Sequence, residues 1–225
     1  GLSRIVVSGR FGNPSTIQFA KHELPLLRFL ERPRVYTPGV ELVVDSTLSV
    51  QNVPYLRDHT YQGDALLPAV LGLEAMALAA MSVMNRVEDH DHASIIFDNV
   101  ELLHPVVVPE SVETEIRIAA LAVDDDAVKL ALRTSATAFQ QDHFRATFRF
   151  AEQAMPLLPM HQTSESIEPL AMDLSELYGD VFFHQGRFRR VKSYLELSAT
   201  ECVAEVEQHS ARDWYGAYLP QQMLI

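Results

Sequence analysis

The chain has 225 residues, 48% of them hydrophobic, and a formal net charge of −12. That length supports a sizeable core and one or two domains, while the acidic balance argues against a nucleic-acid binder, which needs a basic face. The single cysteine, Cys202, rules out a disulfide within the chain. With no signal-like opening segment, it points to a reducing cytoplasm. No cysteine pair, HExxH motif or P-loop is present, so no metal or nucleotide site is expected.

In chain order, residues 1–34 read as a lead-in. The stretch "KHELPLLRFLERPR" carries Pro25 and Pro33 and reads as a connector. From 35 the pattern sharpens. "VELVVDSTLSV" (40–50) puts Leu42, Val44, Leu48 and Val50 on one face, the period of a strand. Residues 66–84 form an apolar run interrupted by Pro68, Gly72, Glu74 and Ser82, which predicts a buried helix and not a membrane span. "IIFDNVELLHPVVVP" (95–109) predicts a strand ended by proline. Alternation over "SVETEIRIAALAV", a turn at Asp124-Asp125-Asp126, and alternation over "AVKLALRTSATA" and "HFRATFRF" predict successive antiparallel strands. One helix that is apolar almost all round needs sheet on most of its surface. A curved antiparallel sheet wrapped round a central helix, the hotdog fold of class α+β, is therefore expected over 35–152. Residues 153–171, with three prolines and no period, predict a linker. A second unit starts at 172, with "FRRVKSYLELS" and "ECVAEVEQ" as paired strands.

Between the first strand and the helix lies "DHTYQGDALLP" (58–68). Pro68 suits the first turn of a helix, where its missing N–H costs nothing. The free N–H groups just before Pro68 are expected to point at whatever sits in front and to carry the positive end of the helix dipole. Gly63 allows the backbone to approach a ligand closely, and His59 stands where it can face the same space. A base beside a cluster of N–H donors is the equipment for removing a proton next to a carbonyl and holding the resulting oxyanion. The bland reading is a satisfied structural histidine before a glycine turn.

His59, Gly63 and Pro68 together spell HxxxGxxxxP, and "AVLGLEAMALAA" follows. In this the chain resembles the dehydratase domains of polyketide synthases, which are double hotdogs. "FFHQGRFRRV" (182–191) resembles, more loosely, that family's strand entry in the second hotdog, through Gly186 and Phe188. The resemblance implies removal of water from a 3-hydroxyacyl chain carried on the phosphopantetheine of an acyl carrier protein, with no other cofactor. His59 would take the proton from C2, the Gly63 N–H would hold the thioester oxygen, and an Asp or Glu on the helix of the second hotdog would protonate the leaving hydroxyl. The implied partners are the carrier protein, other domains of the same synthase and, as a further option, a second copy of the chain. No such second helix is visible among residues 172–225. The second hotdog is therefore expected to be incomplete, with the acid beyond Ile225.

Tyr61 is a candidate for lining the acyl tunnel, or a packed loop residue. Asp58 is expected at the surface. Arg187, Arg189 and Arg190 form the densest basic cluster of an acidic chain. They suit a phosphopantetheine phosphate or an acidic carrier protein, against the alternative of a solvated strand face. "EDHDHA" (88–93) carries Asp89, His90, Asp91 and His92, but such a loop rarely builds a closed metal site, and Met76, Met81 and Met84 read as core filler. Two rival functions remain: a product-template or aromatic cyclase on the same double hotdog, and a catalytically silent hotdog scaffold.

Overall fold

The structure is a computed structural model that describes residues 29–86, 94–151, 168–173, 177–178 and 182–207. Its main sheet has the order β1-β2-β7-β8-β9-β5, antiparallel throughout. The strands are β1 (Arg32–Thr37), β2 (Glu41–Leu48), β5 (Ser94–Leu102), β7 (Thr114–Ala122), β8 (Ala127–Thr134) and β9 (Asp142–Ala151). The sheet packs round one helix, α1 (Ala69–Val83), which touches β2, β7, β8 and β9. This is the hotdog arrangement expected from the sequence. Leu42, Val44 and Leu48 of β2, Ile116 and Ile118 of β7, Leu130 and Leu132 of β8 and Phe144 and Phe148 of β9 face Leu71, Ala75, Met76 and Leu78 of the helix in one core. Gly72 lies against Phe144: a β-carbon there would collide with the phenyl ring. The helix therefore approaches β9 more closely than any side chain would allow. No described helix is long and apolar enough to cross a membrane.

Three local expectations are corrected. The connector before residue 35 already contributes to the hotdog. β1 begins at Arg32, and Phe29 and Leu30 are buried in the core. Pro33 is tolerated because β1 is an edge strand, and its register shifts between Pro33 and Val35. The single strand expected over 95–109 is two. β5 ends at Leu102, and β6 (Val107–Val108) belongs to a separate three-stranded sheet, β3-β4-β6, with β3 (Thr60–Tyr61) and β4 (Asp64–Leu66). The break follows from backbone chemistry: Leu103 and His104 donate their N–H groups to the His143 carbonyl, and Pro105 has none to give. Finally, the N–H groups just before Pro68 are not free. Leu66 donates to the His59 carbonyl at 2.9 Å and Leu67 to the Val106 carbonyl at 2.9 Å.

The C-terminal segment forms a two-stranded antiparallel sheet, β10 (Val191–Leu197) with β11 (Cys202–Val206), the pairing expected from the sequence. Asp89, His90, Asp91 and His92 lie outside the described residues, as do three carboxylate residues of the C-terminal segment, Glu176, Asp180 and Asp213.

Candidate active site

His59 follows a short 3-10 turn, Pro54–Asp58, and leads directly into β3. The hairpin β3–β4 is closed by Gln62 and Gly63, at φ 51° and 94°. Two consecutive left-handed residues make the tight turn whose twist matches a hairpin, which is why glycine occupies the second place. The hairpin brings Leu66 back opposite His59. Leu66 donates its N–H to the His59 carbonyl, and its own carbonyl lies 2.9 Å from His59 Nδ1. A carbonyl can only accept, so Nδ1 carries the hydrogen and Nε2 keeps its lone pair. The spacing of His59 and Gly63 therefore fixes a tautomer: the turn folds the chain back so that a backbone carbonyl orients the ring for Nε2 to act as a base.

His59 is only 9% exposed. Phe183, His184 and Phe188 pack on it, with centroids 4.8, 5.4 and 5.2 Å away. Burial pushes its pKa below the ordinary 6.5, and the neighbouring His184 adds to this, while the Leu66 carbonyl opposes it. His184 is lowered as well, by burial. Both histidines are thereby biased to the neutral form, the one in which a ring nitrogen can accept a proton.

The aromatic cover is held by backbone and charge. His59 and His184 form an antiparallel bridge. Gln185 donates its N–H to the Asp58 carbonyl at 2.8 Å and its side-chain amide to Thr60 Oγ1 at 3.1 Å. The Arg187 guanidinium is paired with the Asp58 carboxylate. Gly186, at φ 46°, lies so close to that carboxylate that a β-carbon would collide with it. Asp58 is thus not the surface residue expected: it pins the segment that covers its neighbour. The sequence carried this signal in "FFHQGRF", but not the identity of its counterpart.

The other candidates are placed as follows. Tyr61 is half exposed, and its ring meets Phe183 edge-on at 5.5 Å. Gly63, at the hairpin tip, lines a recess of about 150 Å³ with Val50, Arg57, Thr60, Ala65 and Glu110, and His59 is not part of that recess. Pro68 caps α1, its carbonyl accepting the N–H groups of Leu71 and Gly72 at 3.0 Å. The first-turn N–H groups of Ala69 and Val70 have no acceptor within the helix. The three arginines do not act as one cluster. Arg187 holds Asp58, Arg189 lies over the Tyr178 ring and donates to the His184 carbonyl, and Arg190 donates to the Glu207 carbonyl. Among the described residues no group of three His, Cys, Asp or Glu could hold a metal ion. The neighbour of His59 that sequence reasoning missed is His184.

Comparison with known proteins bears out the resemblance. Residues 29–135 match the family model described as polyketide synthase dehydratase domain. Among solved structures, the dehydratase domain from the CurK module of curacin polyketide synthase superposes with TM-score 0.60 at 16% identity, covering 75% of this chain and 61% of that one. The corresponding CurF domain gives 0.59 at 17% identity, covering 76% and 62%. The dehydratase domain of the polyketide PpsC from Mycobacterium tuberculosis gives 0.55 at 20% identity, covering 78% and 59%. At these identities the likeness is one of fold, and the chain spans about three fifths of the length of these relatives. No curated protein matches.

Proposed function

We propose that the chain carries the base half of a polyketide synthase dehydratase, which removes water from a 3-hydroxyacyl thioester to give an enoyl thioester. The observation that carries the reading is the His59 imidazole. It is buried and biased to the neutral form, with Nδ1–H donated to the Leu66 carbonyl and Nε2 left basic. Nε2 takes a proton from C2, which is acidified by the adjacent thioester. The negative charge then builds on the thioester oxygen, where backbone N–H groups stabilise it best. Gly63 and the first turn of α1 are the donors this reading assigns. The leaving hydroxyl needs a proton from a carboxylic acid. Glu196, Glu201, Glu205 and Glu207 are exposed on or beside the β10–β11 hairpin, and the reading assigns the role to none of them. Two solved forms of the CurK dehydratase are inactive mutants, one with histidine replaced by phenylalanine and one with aspartate replaced by asparagine. In that enzyme a histidine and an aspartate are therefore needed for activity. In this reading the substrate arrives on the phosphopantetheine of an acyl carrier protein, and other domains of the same synthase are the natural partners.

The test is turnover of a 3-hydroxyacyl thioester by the protein that contains this chain. His59→Ala is expected to lower kcat by ~10²–10⁴-fold, the usual worth of a positioned base, with the hotdog still folded by circular dichroism. Near-normal turnover by a folded His59→Ala protein would remove His59 from the role.

A further inference from the structure

We infer that His143, on the far side of the small sheet, is a positioning residue that sets the tautomer of His59. The inference rests on the reading of His59 as the base. Alternation along β9 places His143 in the outward register of Arg145, Thr147 and Arg149, yet it is buried. The register of β8 and β9 shifts between Leu132 and Arg133, and such a bulge re-aims the side chains beside it. The His143 ring bonds on both sides: Nδ1 to the Pro105 carbonyl at 3.0 Å, and Nε2 to Thr134 Oγ1 at 2.9 Å. Since Pro105 can only accept, Nδ1 carries the hydrogen and Nε2 accepts from the Thr134 hydroxyl.

Three consecutive residues of the 103–108 strap therefore end on His143: Leu103 and His104 on its carbonyl, Pro105 on its ring. The next residue, Val106, offers its carbonyl to the Leu67 N–H at 2.9 Å. The Leu67 N–H and the Leu66 carbonyl belong to one planar peptide unit. That plane is gripped from both ends, by Val106 on the strap and by His59 Nδ1. Downstream, Val107 and Val108 pair with Leu66 and Ala65. The path from His143 to His59 thus runs through four hydrogen-bonding groups in succession: ring nitrogen, Pro105 carbonyl, Val106 carbonyl and the Leu66–Leu67 peptide. If the strap loses its bond at Pro105, the β4–β6 pairing still holds Leu66 but Val106 grips the peptide plane less firmly, and the Leu66 carbonyl tilts from Nδ1.

The test separates the two bonds of the His143 ring. In His143→Asn the side-chain amide stands in for Nδ1 and keeps the Pro105 bond. In His143→Gln it reaches toward Thr134 and leaves Pro105 without its donor. Each variant keeps one bond, so a merely structural role predicts the same outcome for both. With 15N-labelled histidine, the wild-type chain is expected to show His59 as the Nδ1–H tautomer. His143→Asn should retain that pattern and His143→Gln should lose it. In turnover of a 3-hydroxyacyl thioester, His143→Gln should lower kcat roughly tenfold or more with KM little changed, as for a small misplacement of a reacting group, and His143→Asn should recover most of it. The inference is overturned by a wild-type spectrum with His59 as Nε2–H, which needs no variant at all. It is equally overturned by the same His59 pattern in both variants. Absence of turnover in the wild type would instead strike the dehydratase reading and leave the tautomer comparison standing.

Discussion

At the scale of single residues, the lowered pKa of His59 has consequences in two directions. As a base it must be neutral, so kcat/KM should fall on acidification through a value below the ordinary 6.5. Burial by the aromatic cover is the chief cause. Phe188→Ala, which admits water to one face of the ring, should therefore move that limb upward toward 6.5, as read from the pH–rate profile. An unmoved limb would show that the cover does not set the pKa. The same shift acts on stability. The folded state binds fewer protons than the unfolded chain below 6.5, so the contribution is complete above 6.5 and is lost as the pH falls through the lowered folded value. His184, lowered by burial as well, adds with the same sign.

At the scale of elements, two glycines are required, one for its backbone alone and one for its backbone and the space beside it. Gly63 has open space around it, so its requirement is conformational. Gly63→Ala should cost about 1 kcal/mol through the left-handed backbone alone, and Gly63→Asn less, since asparagine tolerates that region. Chemical denaturation measures both, and an alanine variant as stable as the parent would mean that the turn relaxes. Gly186 shares the left-handed backbone, at φ 46°, and adds a steric cause: a β-carbon meets the Asp58 carboxylate. Gly186→Ala should therefore push the 182–188 segment off the His59 ring. The expected readouts are a His59 pKa nearer 6.5 by NMR titration and greater protease sensitivity of residues 182–207, with the hotdog itself still folded. An unchanged His59 titration would count against the cover.

At the scale of the whole molecule, the sheet carries one buried charge that joins three strands. The Asp45 side chain, on β2, is fully buried. It accepts from Arg117 Nε on β7 at 2.7 Å and from Arg34 Nε on β1 at 2.7 Å, and Arg117 in turn lies over the Phe139 ring. The bonds from Arg117, foremost, and from Arg34 hold the Asp45 carboxyl below its usual range against the cost of burial. Its stabilisation is present above the unfolded value of 3.8 and is lost as the pH falls through the lower folded value. Asp45→Asn should destabilise the chain by about 2–4 kcal/mol at neutral pH, because two guanidinium groups lose their counter-charge, and it should flatten the acid limb of stability in thermal melts. A variant with the parent's acid limb would place the acid sensitivity elsewhere.

The sequence by itself determined the local periods and the turn chemistry: the period-2 faces of β2, β7, β8 and β9, the helix starting at Pro68, and the left-handed requirement at Gly63. These are encoded within a few residues, although Pro68 proved to be the cap before α1 and not its first residue, and a hydrophobic period states which face turns inward without needing to know what it meets. It also carried His59 as a candidate base, because the HxxxGxxxxP spacing is local. Only the tertiary structure decided what surrounds that base. Asp58 finds Arg187 at a separation of 129 residues, His184 bridges to His59, and His143 reaches the strap at Pro105, 38 residues earlier in the chain. The arginine cluster of 187–190 reads as one feature in the sequence, yet each guanidinium is claimed by a different partner. Such pairings depend on how distant strands are brought together, and a burial pattern along one strand holds no record of its partner. For the same reason β6 separated from β5: its proline and its two diverted N–H groups mattered only once β9 offered the His143 carbonyl.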